Sequence, residues 1–196
     1  MNKKTKAVFL DRDGTVNVDR NGYVRKTGEF ELYPFSSEAV ALLNRMDYLV
    51  FIVTNQSGIA RGYYSVADLE NIHRRMGELL AEQGARIDEI YYSPYHSEGH
   101  VEPFNISSDL RKPGLGMFQE ALQKYDFNIP RSFMIGDKYS DIVFGRKAGL
   151  TTILVLTGDG SREFLEEREH WEYKPHFITD NLLAAAHLIE RLRKSR

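Results

Sequence analysis

Short apolar runs rich in β-branched and aromatic residues alternate with longer stretches of helical periodicity, and this alternation constrains the fold more than any other feature. The runs are A-V-F-L (7–10), Y-L-V-F-I-V (48–53), I-D-E-I-Y-Y (87–92), S-F-M-I (132–135), T-T-I-L-V-L (151–156) and H-F-I (176–178). Strands interleaved with helical patterns imply an α/β fold with a mainly parallel sheet. Between them, Ala39, Val40, Leu42, Leu43 and Met46 share one helical face, with Ser36 or Ser37 as the expected N-cap. Leu69, Ile72, Met76, Leu79 and Leu80 form a second stripe behind a capping box in S-V-A-D (65–68). Met117, Phe118, Ala121, Leu122 and Tyr125 form a third, and Leu182, Leu183, Ala186, Ile189 and Leu192 a fourth, all expected in the core.

With 196 residues and 42% hydrophobic content the chain suits one compact domain, residues 1–196. Two segments break the alternation, 18–33 and 93–113, and irregular stretches of that length are commonly binding loops. Basic and acidic residues nearly balance, 26 against 28, so no general field attracts nucleic acid or an anionic membrane. The absence of cysteine excludes disulfides, thiolate zinc sites and thiol catalysis. Only four apolar residues, Ala7 to Leu10, follow M-N-K-K-T-K, too few for a signal peptide or a membrane span. A cytoplasmic protein is expected, with a monomer favoured. The basic end R-L-R-K-S-R reads as a solvated helix terminus.

In open parallel sheets a ligand sits beyond the carboxyl ends of the strands. Asp11, Asp13, Gly14 and Thr15 follow the first run; Thr54, Asn55, Gln56, Ser57 and Gly58 follow the second; Gly136, Asp137 and Lys138 follow the fourth, with Asp141 close behind. Residues i and i+2 of an extended strand point the same way, so Asp11 and Asp13 can face one ligand while Arg12, a spacer, points to the other side. D-x-D-G alone also fits a polar turn. Two adjacent anions repel unless a cation or shared proton relieves them, and Asp137 can complete an oxygen-rich Mg²⁺ site. A carboxylate beside Mg²⁺ can attack phosphorus to give an aspartyl-phosphate, while a second carboxylate moves protons to the leaving oxygen and from water. Thr54 offers a hydroxyl and Lys112 of R-K-P (111–113) a positive charge for the phosphoryl oxygens, though each alone also fits a structural role.

The ordered set D-R-D-G-T, T-N-Q-S-G, R-K-P and G-D-K-Y-S-D resembles the motifs of the haloacid dehalogenase (HAD) superfamily of aspartate-nucleophile phosphatases, over nearly the whole chain. F-L-D-R-D-G-T-V-N, T-N-Q-S-G-I-A-R-G, R-K-P-G-L-G-M and I-G-D-K are similar to stretches of the D-glycero-D-manno-heptose 1,7-bisphosphate phosphatases and the related histidinol-phosphate phosphatases. The resemblance implies a doubly wound, Rossmann-like HAD fold without a large cap domain, Mg²⁺ as cofactor and a small phosphorylated metabolite as partner, first a heptose 1,7-bisphosphate. It implies that Asp11 is the nucleophile and Asp13 the general acid/base, that Asp137 joins Asp11 and the backbone carbonyl of Asp13 around the metal, and that Thr54 and Lys112 hold the phosphoryl group. Arg111 and Lys138 would recognise substrate, with Asp19, Arg20, Asn21 and Gly22, and Thr54, Asn55, Gln56 and Ser57, lining the site. Asp141 either orients its neighbours or favours a helix N-terminus. Arg61 makes either an ordinary salt bridge or a contact to a second anionic group.

Many members of that family carry a zinc loop, with Cys-Pro-His at its start and Cys-x-Cys before Arg-Lys-Pro. Here those places read Ser93-Pro94-Tyr95 and Ser108-Asp109-Leu110, so no zinc is expected; His96 and His100 read as part of a solvated loop. T-N-Q-S-G-I also resembles nucleic-acid 3′-phosphatases, but the charge balance and lack of a basic stripe count against a nucleic-acid partner. A signalling receiver domain combines the same residue types, yet places its phosphorylated Asp on a later strand than its acidic pair.

Overall fold

The computed structural model describes residues 5–19 and 22–194. Each of the six apolar runs is a strand: β1 (Lys6–Leu10), β2 (Tyr48–Asn55), β3 (Glu89–Ser93), β4 (Phe133–Gly136), β5 (Thr151–Val155) and β6 (Phe177–Thr179). They form one sheet in the order β3-β2-β1-β4-β5-β6 with every pairing parallel. The helices are α1 (Ser36–Arg45), α2 (Val66–Ala81), α3 (Gly116–Lys124), α4 (Tyr139–Lys147), α5 (Gly160–Glu167) and α6 (Leu182–Lys194).

Alternation along the strands divides the core between two faces. Val8, Leu10, Val50, Ile52, Ile135 and Ile153 pack with buried residues of α1, α2 and α6. Ala7, Phe9, Phe51, Val53 and Met134 pack with those of α3 and α4. Covering both faces is what allows continuous apolar runs to serve as strands. From β1 the chain builds outward through β2 and β3, then crosses back to β4, so the topological switch point lies between the carboxyl ends of β1 and β4. Receiver domains follow the order 2-1-3-4-5 instead, which removes that alternative.

Local differences from expectation have simple causes. The Ser65–Asp68 capping box forms at α2, with the two residues bonding reciprocally. At α1 the cap position is Phe35, because the Ser36 hydroxyl donates instead to the Val16 carbonyl, 2.6 Å away across a buried contact. Leu122, expected in the core, is exposed on α3, whose buried face is Met117, Phe118 and Ala121. The segment 93–113 is tied down by backbone bonds from His100 and Val101 to the Ala60 carbonyl and from His96 to Phe104. No helix among the described residues is long and apolar enough to cross a membrane.

Candidate active site

β1 ends at Leu10, and the next residue, Asp11, donates its backbone N–H to Ile135 of β4 at 2.9 Å. This bond sets the Asp11 carboxylate at the switch point. Lys112 reaches it from the loop before α3: its ammonium lies 2.7 Å from Asp11 Oδ1, 2.6 Å from Asp141 Oδ1 and 2.6 Å from the Val53 carbonyl. Asn55, at the end of β2, clamps the Lys112 backbone through both its N–H (2.9 Å) and its carbonyl (3.1 Å). Burial alone would depress the Lys112 pKa, but the charges of Asp11 and Asp141 raise it, so the ammonium stays charged.

Asp137 directly follows β4 and has no solvent exposure. Its Oδ2 accepts the Asp159 N–H at 2.8 Å, while Oδ1 is buried with no hydrogen-bond partner. Burial, reinforced by the charges of Asp11 and Asp141, raises its pKa well above the usual carboxylate range. Asp141 Oδ2 accepts the Lys138 N–H at 3.0 Å and so caps α4. Its pKa is pushed up to about 6 by burial, with Asp11 adding to the shift and Lys112 opposing it. Oxygen atoms of Asp11, Asp137 and Asp141 lie within 4.8 Å of one another, the only such carboxylate or imidazole trio among the described residues.

A cavity of about 290 Å³ opens on two of the three, Asp11 and Asp141, and is lined as well by Asp13, Asp19, Gly22, Tyr23, Thr54, Asn55, Ser57, Arg111, Lys112, Lys138 and Ser140. Of the sequence candidates, Asp137 and Gln56 do not line it, and Arg20 and Asn21 lie outside the described residues. Lys138 faces Asp159 at 3.5 Å and Asp19 at 3.9 Å.

Arg12 corrects one expectation. The chain bends after Leu10, so period-two geometry no longer applies, and Arg12 does not point away from its neighbour. Fully buried, its Nη2 grips both Asp13 oxygens at 2.9 and 2.8 Å. The Asp13 carboxylate also accepts Asn17 Nδ2 at 3.0 Å and Gln56 Nε2 at 2.8 Å. Burial would raise its pKa, but Arg12 and these hydrogen bonds more than offset that and hold it below the usual range. Its carboxylate is therefore outside the acidic trio, although it lines the same cavity.

The chain is similar to known proteins along most of its length. A HAD-hydrolase-like family model matches residues 109–185. The chain is 44% identical over 154 residues, 78% of its length and 83% of the relative's, to a D-glycero-beta-D-manno-heptose-1,7-bisphosphate 7-phosphatase of Pasteurella multocida. It is 38% identical over 189 residues, 96% of its length and 98% of the relative's, to the Vibrio cholerae protein of the same name. The chain belongs to the HAD-like phosphatases, in the heptose-bisphosphate phosphatase family. Its fold superposes with a TM-score of 0.81 at 31% identity on the crystal structure of D,D-heptose 1,7-bisphosphate phosphatase from B. bronchiseptica complexed with magnesium and phosphate, covering 97% of this chain and 99% of that one.

Several residues in and around the candidate site are not among the sequence candidates. Tyr64 donates to Gln56 Oε1 at 2.6 Å, and Gln56 Nε2 also reaches Thr54 Oγ1 at 2.8 Å, so a tyrosine before α2 orients both. His73 of α2 lies 3.1 Å from Arg12 Nη1. Asp159 belongs to T-G-D-G (157–160), a polar, glycine-rich stretch after β5. The strand-end rule that singled out the first, second and fourth runs would have found it if applied to the fifth. Arg61 makes a salt bridge to Glu98 at 3.4 Å, beside His96 Nε2 at 3.3 Å.

Proposed function

We propose that this phosphatase hydrolyses the 7-phosphate of a D-glycero-D-manno-heptose 1,7-bisphosphate through an aspartyl-phosphate on Asp11, with Mg²⁺ as cofactor. The observation that carries the reading is the Asp11 carboxylate, paired with buried Lys112 and facing the cavity beside Asp137 and Asp141. The substrate reading rests on the activity for which the relatives are named, and Arg111 and Lys138 on the cavity wall supply positive charge for a doubly phosphorylated sugar.

The residues fit a divalent cation. Asp137 Oδ1 is a buried oxygen without a partner, next to two further carboxylates, a set costly to bury unless a cation or proton balances it. Asp11, Asp137 and the Asp13 backbone carbonyl would hold Mg²⁺, which neutralises phosphoryl oxygens when bound.

The chain's own groups account for the remaining steps. Lys112 and Thr54 receive the phosphoryl oxygens, and Asp11 attacks phosphorus as the bond to the sugar oxygen breaks. Asp13 gives that oxygen its proton; the negative charge of the bound phosphoryl group beside Asp13 favours the protonated form that this step needs. Water then attacks the aspartyl-phosphate, Asp13 takes a proton from it, and inorganic phosphate leaves Asp11.

The test is phosphate release with Mg²⁺ from heptose 1,7-bisphosphate, other sugar phosphates, histidinol phosphate and 3′-phosphorylated oligonucleotides. The heptose bisphosphate is expected to give the highest kcat/KM, and Asp11→Asn to remove turnover while leaving the circular dichroism spectrum unchanged. Equal rates on all sugar phosphates would overturn the substrate; turnover by Asp11→Asn would overturn the nucleophile.

A further inference from the structure

Two glycines from separate loops form a slot around Asp137. Gly14 has φ +84° and Gly158 φ +56°, backbone that favours glycine. A Cβ at Gly14 would lie 2.3 Å from Asp137 Oδ2; a Cβ at Gly158 would lie 2.2 Å from the same oxygen and 2.6 Å from Gly14 Cα. Neither loop can carry a side chain without displacing the carboxylate. Inside the slot, Oδ2 accepts the Asp159 N–H at 2.8 Å. Oδ1 is left buried and unpartnered, beside Asp11 and Asp141.

We propose that the loop 157–160 is a positioning element for the divalent cation: by tying Asp137 Oδ2 to the Asp159 N–H within the Gly14–Gly158 slot, it reserves Oδ1 for the metal. This rests on the metal role proposed above for Asp137. Mg²⁺ demands near-ideal octahedral geometry and loses heavily from a displaced ligand. A carboxylate whose second oxygen is already bound can neither rotate nor switch to bidentate contact, so the ligand is preorganised. Loop 157–160 touches no substrate in this role.

Calorimetric Mg²⁺ titration of the full chain tests the proposal without relying on turnover. Gly158→Ala is expected to weaken Mg²⁺ binding about 10–100-fold, the usual effect of losing a group that orients a metal ligand. Asp159→Pro, which removes the N–H that Oδ2 accepts at a position whose φ of −81° is close to that of proline, should weaken it as well and decides the matter if Gly158→Ala does not fold. Gly84→Ala controls for backbone strain, since Gly84 has φ +70° with open space around its Cβ position, and it should bind Mg²⁺ like the parent. Asp137→Asn separates the two levels of inference. If Asp137→Asn loses binding while Gly158→Ala and Asp159→Pro keep parental affinity, or if Gly84→Ala loses as much as Gly158→Ala, the positioning role is overturned. If Asp137→Asn itself binds normally, the metal role fails first.

Discussion

Arg12 is wholly buried, and its guanidinium serves two neighbours, Asp13 on one side and the ring of His73 on the other. For His73 to accept that bond its Nε2 must be unprotonated. Burial, with the Arg12 charge adding to it, depresses its pKa to about 3, and the nearby Asp13 charge only partly opposes this. The ring also meets Tyr92 edge-on at 5.8 Å. An unfolded chain titrates its histidine near pH 6.5, so below that value the unfolded state gains a proton that the folded state refuses, and stability falls as pH drops toward 3. The slope in that window is at most about 1.4 kcal/mol per pH unit. Between about pH 7.5 and about pH 5.5, the parent chain should therefore lose roughly 1 kcal/mol more stability than His73→Asn. Urea denaturation of both at the two pH values measures this; parallel losses would mean that His73 titrates normally in the folded chain.

At the scale of elements, β1 carries the most. It lies inside the sheet between β2 and β4, and its Phe9 has no exposure. That ring packs against Phe51 at 5.2 Å, Phe118 and Phe127 at 5.6 Å and Phe144 at 6.4 Å, joining the strand to β2, α3 and α4. Phe9→Ala should cost about 3–5 kcal/mol, read from the midpoint and slope of a denaturant curve; a loss under about 1 kcal/mol would show that the cluster closes over the gap. Elements of this kind were legible in the sequence because burial on both faces leaves a continuous apolar run. α2 was legible because it has a capping box and a one-sided stripe. α4 had no such signal: Asp141, Ile142, Val143, Phe144 and Gly145 are buried consecutively, so no polar face marks a helical period. α5 fails in the opposite sense, since only Gly160 is buried and Leu165 is exposed. In the site, residues on strand ends could be read from local pattern. Arg12, His73 and Tyr64 could not, because their partners are brought together by tertiary packing across α2 and the β2–α2 loop.

Across the whole molecule, the arrangement that concentrates chemistry at the switch point opposes stability. Three buried carboxylates, Asp11, Asp137 and Asp141, are held within 4.8 Å, with one buried ammonium, Lys112, between two of them. Burial chiefly raises the pKa of Asp137, and that of Asp141 to about 6. An unfolded aspartate releases its proton near pH 3.9, so as pH rises past that value and through the raised folded values, the folded chain loses stability that the unfolded chain does not. At neutral pH the cation-free chain therefore carries repulsion that Lys112 relieves only in part, and under the proposed metal role a bound divalent cation would restore stability by mass action, about 2.7 kcal/mol at a hundredfold excess over Kd. Asp137→Asn removes the charge and the ligand together, and melting it without and with the cation separates the two effects. In EDTA at neutral pH the variant should melt above the parent, by about 2–4 °C for each kcal/mol of repulsion removed. With saturating Mg²⁺ the order should invert, since only the parent gains the binding energy. A variant that melts below the parent in EDTA would mean that the charge on Asp137 does not oppose folding, and that the trio is stable without a cation.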